Sequence, residues 1–248
     1  MKIKLADKKF SALLRFLEDN HAIPVRYHQF TVCRICAGDR LATEKLMALF
    51  RSALLSNTGG GLATIGTAAK IFEKKISKLS VHSTIKPGDL LNCFCVKSSN
   101  ELFDALINIT GIGKKKAALF LRDLWVTQSP ATDCRIFSSE LIARDELLIP
   151  LDKVIAIGLN QVAKPCLFGD GSVLSNAFSS VNAYFAARDD LHHMIIEDLW
   201  FWGYFGLVGS DYERSIEINN AKIALDPFFR RNGVPRRQFY RFHRILNS

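Results

Sequence analysis

The chain has 248 residues, 48% of them hydrophobic, enough to bury a sizeable core as one domain or as two closely packed lobes. Its formal charge of +9 and pI of about 9.3 favour a polyanionic partner, because Lys and Arg displace the counterions condensed along a nucleic-acid backbone. No apolar run approaches the roughly 20 residues that span a bilayer, and Met1–Leu5 does not lead into the apolar region of a signal peptide, so no membrane partner and an intracellular location, cytoplasmic and nucleoid-associated in a prokaryote, are expected.

Apolar residues recur at three- and four-residue spacing along most of the chain, with almost no sustained alternation, so the expected class is all-α. Phe10, Leu13, Leu14 and Leu17 mark a first amphipathic helix, and Leu41–Leu55 a second. Ser56–Gly61 breaks the pattern before Ala63–Ile76 resumes it. Lys86-Pro87-Gly88-Asp89 reads as a turn, with Asp89 a candidate cap for the next helix. A helical hairpin follows at 101–125. The connection from Trp125 to Ile149 is long and contains a candidate short helix at Arg135–Ala143. Helices are expected again in the 147–162 segment, at Val173–Ala187 and at Leu191–Phe205, ahead of a basic carboxy-terminal segment at 228–248. No internal repeat is present, which excludes a solenoid.

The hairpin carries the most information. Leu102, Phe103, Leu106 and Ile107 make one apolar stripe, and Ala117, Leu121, Leu124 and Trp125 make another. Thr110–Lys116 (TGIGKKK) joins them and starts the second helix with Lys114, Lys115 and Lys116. Gly111 and Gly113 are expected to relieve the steric cost of positive φ and to leave peptide N–H groups open to a phosphate at the helix N-terminus. A helix-hairpin-helix grips a nucleic-acid backbone in this way. A plain helix connection with a basic cap has the same spacing.

Gly111–Leu124 (GIGKKKAALFLRDL) resembles the hairpin and catalytic helix of DNA glycosylases of the helix-hairpin-helix superfamily with a Gly/Pro-Asp element, particularly the archaeal-type 8-oxoguanine glycosylases. Downstream, Ile149–Ile155 (IPLDKVI) is similar to the second half of that signature, in which an apolar-Pro-apolar-Asp segment opens a helix. The resemblance runs from Glu101 to about Val162; Leu54–Thr58 (LLSNT) is only weakly similar to the segment where many members have an apolar-Ser-Gln-Gln pattern. It implies a two-lobed helical glycosylase, with lyase activity, that excises a damaged or modified base from double-stranded DNA as a monomer. The leading substrate so implied is 8-oxoguanine opposite cytosine, with another modified base, for example in foreign DNA, as the alternative. No metal or organic cofactor is implied: some relatives carry a four-cysteine iron–sulfur cluster after the catalytic aspartate, but here only Cys166 follows Asp152.

By the same resemblance the lysine two positions after the second hairpin glycine, Lys115, is the nucleophile that attacks the sugar C1′ and leaves an imine. A lysine near its ordinary pKa of ~10.4 attacks poorly at neutral pH, and crowding by Lys114 and Lys116 would help. The carboxylate that stabilises an oxocarbenium-like transition state is carried over to Asp152, where Pro150 sets an extended approach and a helix N-terminus favours the charge. An N-cap without a catalytic part fits the same position. Asp133 competes, since compact members have the shorter interval from the lysine, but it lacks the Pro-apolar-Asp context.

Trp200, Phe201, Trp202, Tyr204 and Phe205 form an aromatic cluster about where the family places its base pocket, with Trp200, Trp202 and Phe205 the candidates; their helical spacing equally suits a core. Phe228–Ser248 holds six arginines and no acid. Docking of Phe239, Tyr240 and Phe242 would turn Arg237, Arg241 and Arg244 outward, and Arg237 and Arg241 are candidate DNA contacts. The six cysteines are expected to be free thiols; Cys33-x-x-Cys36 with Cys93-x-Cys95 offers a zinc alternative, against which Leu90–Val96 reads as core. The rival from another class is a non-catalytic DNA-binding module that only holds phosphate.

Overall fold

The computed structural model describes residues 7–38, 40–56, 62–79, 82–128, 134–162, 174–188, 193–210 and 213–248. Asn57–Gly61, Asp133, Cys166 and the Pro165–Ser172 separator lie outside them. The described residues are predominantly helical, in agreement with the all-α expectation, and they divide into two units, His28–Pro150 and Met1–Tyr27 with Leu151–Ser248.

The inner unit is built from α3 (Ala42–Leu55), α4 (Leu62–Ile76), α5 (Pro87–Phe94), α6 (Ser99–Ile107) and α7 (Lys114–Gln128). Helix α7 packs against α3 and α6, and α4 against α3 and α5. Their apolar stripes converge on Phe50 and Phe72, stacked at 3.8 Å, with Phe120 edge-on to both at 5.3 Å. All three rings are almost fully buried, and burying rings of this size dominates the energetics of a small helical unit. Ser98 caps α6 by accepting from the Glu101 N–H, and the Glu101 carboxylate accepts from the Lys97 N–H. At α5 the N-cap is Lys86, with Pro87 at the first helical position; Asp89 sits inside the first turn, not at the cap expected for it.

The helix expected at Arg135–Ala143 does not form. Ile85 and Phe137 instead make a parallel bridge, with the Ile85 N–H donating to Ile136 and the Ser138 N–H to Ile85. The Gln128 side-chain carbonyl accepts from the N–H groups of Leu141 and Ile142. Backbone partners from outside the segment replace the intrahelical ladder, while Ile136, Phe137 and Ile142 stay buried. The only helical turn in this connection, among the described residues, is a short 3-10 turn at Arg144–Glu146.

The outer unit contains α1 (Asp7–Asn20), α8 (Lys153–Val162), α9 (Leu174–Ala186), α10 (Asp198–Gly206), a ribbon of β1 (Val208–Ser210) and β2 (Glu213–Ser215), then α11 (Asn220–Leu225), α12 (Pro227–Asn232) and α13 (Arg236–Asn247). Helix α2 (Ala22–Ile35) contributes residues to both units. The expected Leu191–Phe205 helix is a 3-10 turn at His193–Glu197 followed by α10. Helices α8 and α10 approach closely because Gly203 faces Val154: a Cβ on Gly203 would lie 2.5 Å from the Val154 Cγ1. Trp202 fills the centre, with Phe16 at 4.9 Å and Phe239 at 5.1 Å.

Candidate nucleic-acid interface

The turn between α6 and α7 is closed by its own backbone. The Ile109 N–H donates to Leu106, the Ile112 N–H to Ile109, and the Ala117 N–H to Gly113, which makes Gly113 the residue from which α7 starts. Ile109 and Ile112 are buried and pin the turn to the unit beneath. Gly111 has φ +93°, and a Cβ there would sit 2.6 Å from the Thr64 Cγ2 of α4. Glycine is thus required at 111 twice over, by conformation and by contact. Gly113 is different: its φ is not positive and its Cβ position is open, so the expected positive φ holds only for Gly111.

Lys114, Lys115 and Lys116 occupy the first turn of α7, each half-buried, at the positive end of the helix dipole. Lys116 Nζ donates to the Gly111 carbonyl at 3.3 Å, tying the side chain back over the turn. Partial burial lowers the Lys116 pKa from its ordinary value, and the neighbouring charge of Lys115 lowers it further. Crowding within the lysine triplet is therefore expressed at Lys116. Farther along α7 the carboxylate of Asp123 is buried; desolvation pushes its pKa up and the Arg122 guanidinium, 2.7 Å away, opposes that rise.

Asp152 belongs to the outer unit. It is buried, and its Oδ1 accepts from the N–H groups of Val154 and Ile155 at 2.9 and 3.0 Å while its carbonyl accepts from Ala156. This is an N-cap, formed where the Pro-apolar-Asp segment leads into α8. A second carboxylate, Asp198 in the first turn of α10, is also buried and lies 2.7 Å from His21 Nδ1. Nothing in the sequence pairs those two residues.

Trp202 and Phe205 do not line a base pocket. Both have no accessible surface, because α10 is apolar on every side and is wrapped by residues such as Phe16, Phe229 and Phe239. Trp200 is only partly buried; it stacks on Tyr204 at 4.9 Å, and the Lys222 amine lies 3.7 Å from the Tyr204 ring centroid. In α13, Phe239, Phe242 and Leu246 are buried while Arg236, Arg237, Arg241 and Arg244 are exposed; Tyr240, expected to dock with the two phenylalanines, is exposed because it follows Phe239 directly and so turns about 100° away from the docked face. Arg241 pairs with Asp19 of α1 at 2.9 Å.

The thiols do not collect as the zinc alternative needs. Cys33 Sγ lies 2.8 Å from Cys134 Sγ, while Cys93 is half-buried and Cys95 exposed at the end of α5. Only Leu90 and Phe94 of that segment are core. Burial, chiefly, drives the Cys36 pKa up to about 12, which disfavours the thiolate a metal would bind. Among the described residues no three His, Cys, Asp or Glu side chains gather to hold a metal ion, and no helix is long and apolar enough to cross a membrane.

No family model, curated protein or solved structure matches the chain. Its function has to be argued from its own residues. Sequence patterns single out the hairpin lysines and the α13 arginines as candidates; they do not single out Lys8 and Arg15 on α1 or Arg188 after α9, which line one groove with Arg241 and Arg244. Seven-residue spacing of Lys8 and Arg15 on one helix face was the available signal, diluted by the ordinary abundance of exposed cations on helices.

Proposed function

We propose that the chain is a DNA glycosylase with lyase activity that binds duplex DNA through the α6–α7 hairpin and removes a damaged or modified base, with 8-oxoguanine the leading substrate. The observation that carries the proposal is the hairpin turn itself. Gly111 in the left-handed region brings the chain round so that three lysines fill the first turn of α7 at its N-terminus, within a segment that resembles a glycosylase signature.

In the proposed reaction the Lys115 amine, once deprotonated, donates its lone pair to the sugar C1′. The bond from C1′ to the base breaks, and the base leaves with that electron pair and takes up a proton. Opening of the sugar ring gives an imine between Lys115 and C1′, and loss of a C2′ proton then expels the 3′ phosphate. Asp152 is assigned the stabilisation of positive charge at C1′. Lys114 and Lys116 hold phosphate, with Lys116 also bracing the turn through Gly111.

The second reading, a non-catalytic DNA-binding module, draws on the capping bonds of Asp152, which explain that carboxylate without any chemistry. Borohydride trapping on duplexes that each carry one lesion separates the two. The proposal expects a covalent adduct with at least one lesion or an abasic site, and the lesion that gives it names the substrate. Absence of an adduct on every duplex reduces the function to DNA binding or to glycosylase action through water.

A further inference from the structure

The outer unit carries a groove of about 890 Å³ between α1 and α13. Lys8 and Arg15 enter it from α1, Arg241 and Arg244 from α13, and Arg188 from the segment after α9; among the described residues Glu18 is the one carboxylate in its lining. Two of the guanidiniums are laid on aromatic rings of α1, Arg188 over Phe10 at 5.5 Å and Arg241 over Phe16 at 5.8 Å, and both rings belong to the core. Stacking of this kind restricts an arginine before any ligand arrives. The helices are also fixed to each other, since Lys9 Nζ donates to the Leu246 carbonyl at 2.8 Å. The Arg241–Asp19 pair at the rim is about half exposed on both sides, so it holds Arg241 weakly and yields it readily to a stronger anion.

The five cations outnumber the described carboxylates beside them, Glu18 and Asp19, and they run along two helices rather than converging on a point. That distribution suits a linear polyanion better than a single phosphate ion. We infer that the α1–α13 groove is a second nucleic-acid seat, in which Lys8, Arg15 and Arg188 join the α13 arginines in holding the phosphodiester backbone of duplex DNA. The identity of the polyanion rests on the proposed action on DNA; the groove itself does not depend on the chemistry assigned to Lys115.

The test uses the full chain with Lys8, Arg15 and Arg188 changed together to Gln, and measures the salt dependence of binding to an undamaged duplex of about 30 base pairs. Each phosphate contact contributes about 0.9 to the slope of log K against log salt, so the slope should fall by about 2 to 3. The charge-conserving set Lys8→Arg, Arg15→Lys, Arg188→Lys should keep the wild-type slope. If the triple Gln variant does not fold, Arg188→Gln alone should lower the slope by about 1. An unchanged slope in the neutralised variants overturns the inference. So does a loss of binding to phosphatidylserine-rich vesicles with no change on DNA, which would make the groove a lipid surface. Borohydride trapping on an abasic duplex at saturating protein is run alongside. If wild type traps nothing yet the slope still falls, the glycosylase reading fails and the groove stands.

Discussion

The hairpin end of α7 and the outer face of α13 both present cations, but they are built on different principles. At the hairpin the backbone decides. Gly111 adopts a conformation that is costly for a residue with a Cβ, its neighbours Ile109 and Ile112 are buried, and Lys116 is bonded back to the turn, so the backbone that carries the lysines is fixed. On α13 the side chains decide: Phe239, Phe242 and Leu246 dock one face, and the arginines take the other with no demand on the backbone. Fixed geometry suits a group that must meet one atom of a substrate, while distributed charge suits attraction along a strand. The hairpin should therefore fail at single positions, and the arginine face only by degrees.

The largest effect expected is at Lys115. Lys115→Gln should eliminate the borohydride-trapped adduct and strand nicking while keeping specific binding, since glutamine retains length and polarity without a nucleophilic amine. Lys114→Gln and Lys116→Gln should keep trapping at a reduced rate. Lys116 sharpens the comparison, because partial burial and the Lys115 charge lower its pKa from the ordinary lysine value, although its bond to Gly111 points it into the turn. Loss of the adduct in Lys116→Gln alone would move the nucleophile by one position.

Next in size is Asp152. Asn and Asp cap helices about equally well, so Asp152→Asn preserves the cap of α8 and removes only the charge. Turnover should drop by at least about 100-fold with lesion binding retained, and chemical denaturation should show a change below about 0.5 kcal/mol. Asp152→Ala should cost about 1 kcal/mol in addition. Full activity in Asp152→Asn would leave the residue as a cap and shift attention to Asp133, for which Asp133→Asn is otherwise expected to behave as wild type.

Gly111→Ala tests the backbone side of the comparison. The left-handed conformation costs about 1 to 2 kcal/mol for a residue with a Cβ, and crowding against Thr64 about 1 to 3 more, so unfolding free energy should fall by about 2 to 5 kcal/mol. Thr64→Ser removes the methyl group and should recover the crowding part of that loss but not the conformational part. Gly113→Ala, with an ordinary φ and open space, should be close to neutral in stability. Equal losses at both glycines would mean that the turn is not held as described.

How far these regions could be read beforehand follows from the same physics. Helix stripes are local, and Phe10–Leu17, Leu41–Leu55, Ala63–Ile76 and the hairpin carry their periodicity in a short window; all are helices. Turns of positive φ are local too, yet the pattern does not say which of Gly111 and Gly113 adopts it, and the contact that also bars a Cβ at Gly111 comes from Thr64, remote in sequence. The Arg135–Ala143 segment was illegible for the same reason: Ile85 and Gln128 supply the bonds that make it extended. Trp202 and Phe205 are candidates because an aromatic cluster looks alike in a pocket and in a core, and only remote partners tell them apart, Phe16 and Phe239 for Trp202, Tyr27 and Phe229 for Phe205. The salt-dependence expectation for Phe228–Ser248, in contrast, needs nothing beyond six arginines and no acid.

The smallest effects are expected on α13 itself. Arg237→Gln and Arg241→Gln should each lower the slope of log K against log salt on undamaged duplex by about 0.9, and the double variant by about twice that, since contacts along a polyanion add. Lesion-duplex trapping at saturating protein should not change in either. Arg241 is paired with Asp19 and lies over the Phe16 ring, but that pair, exposed on both sides, contributes less than about 1 kcal/mol to folding. Arg241→Gln should therefore leave stability nearly unaltered, and Asp19→Asn should raise DNA affinity by freeing Arg241 from a competing carboxylate. A steep drop in trapping from either single arginine change would erase the distinction between the two surfaces, because it would place α13 among the groups that must meet a particular atom of the substrate.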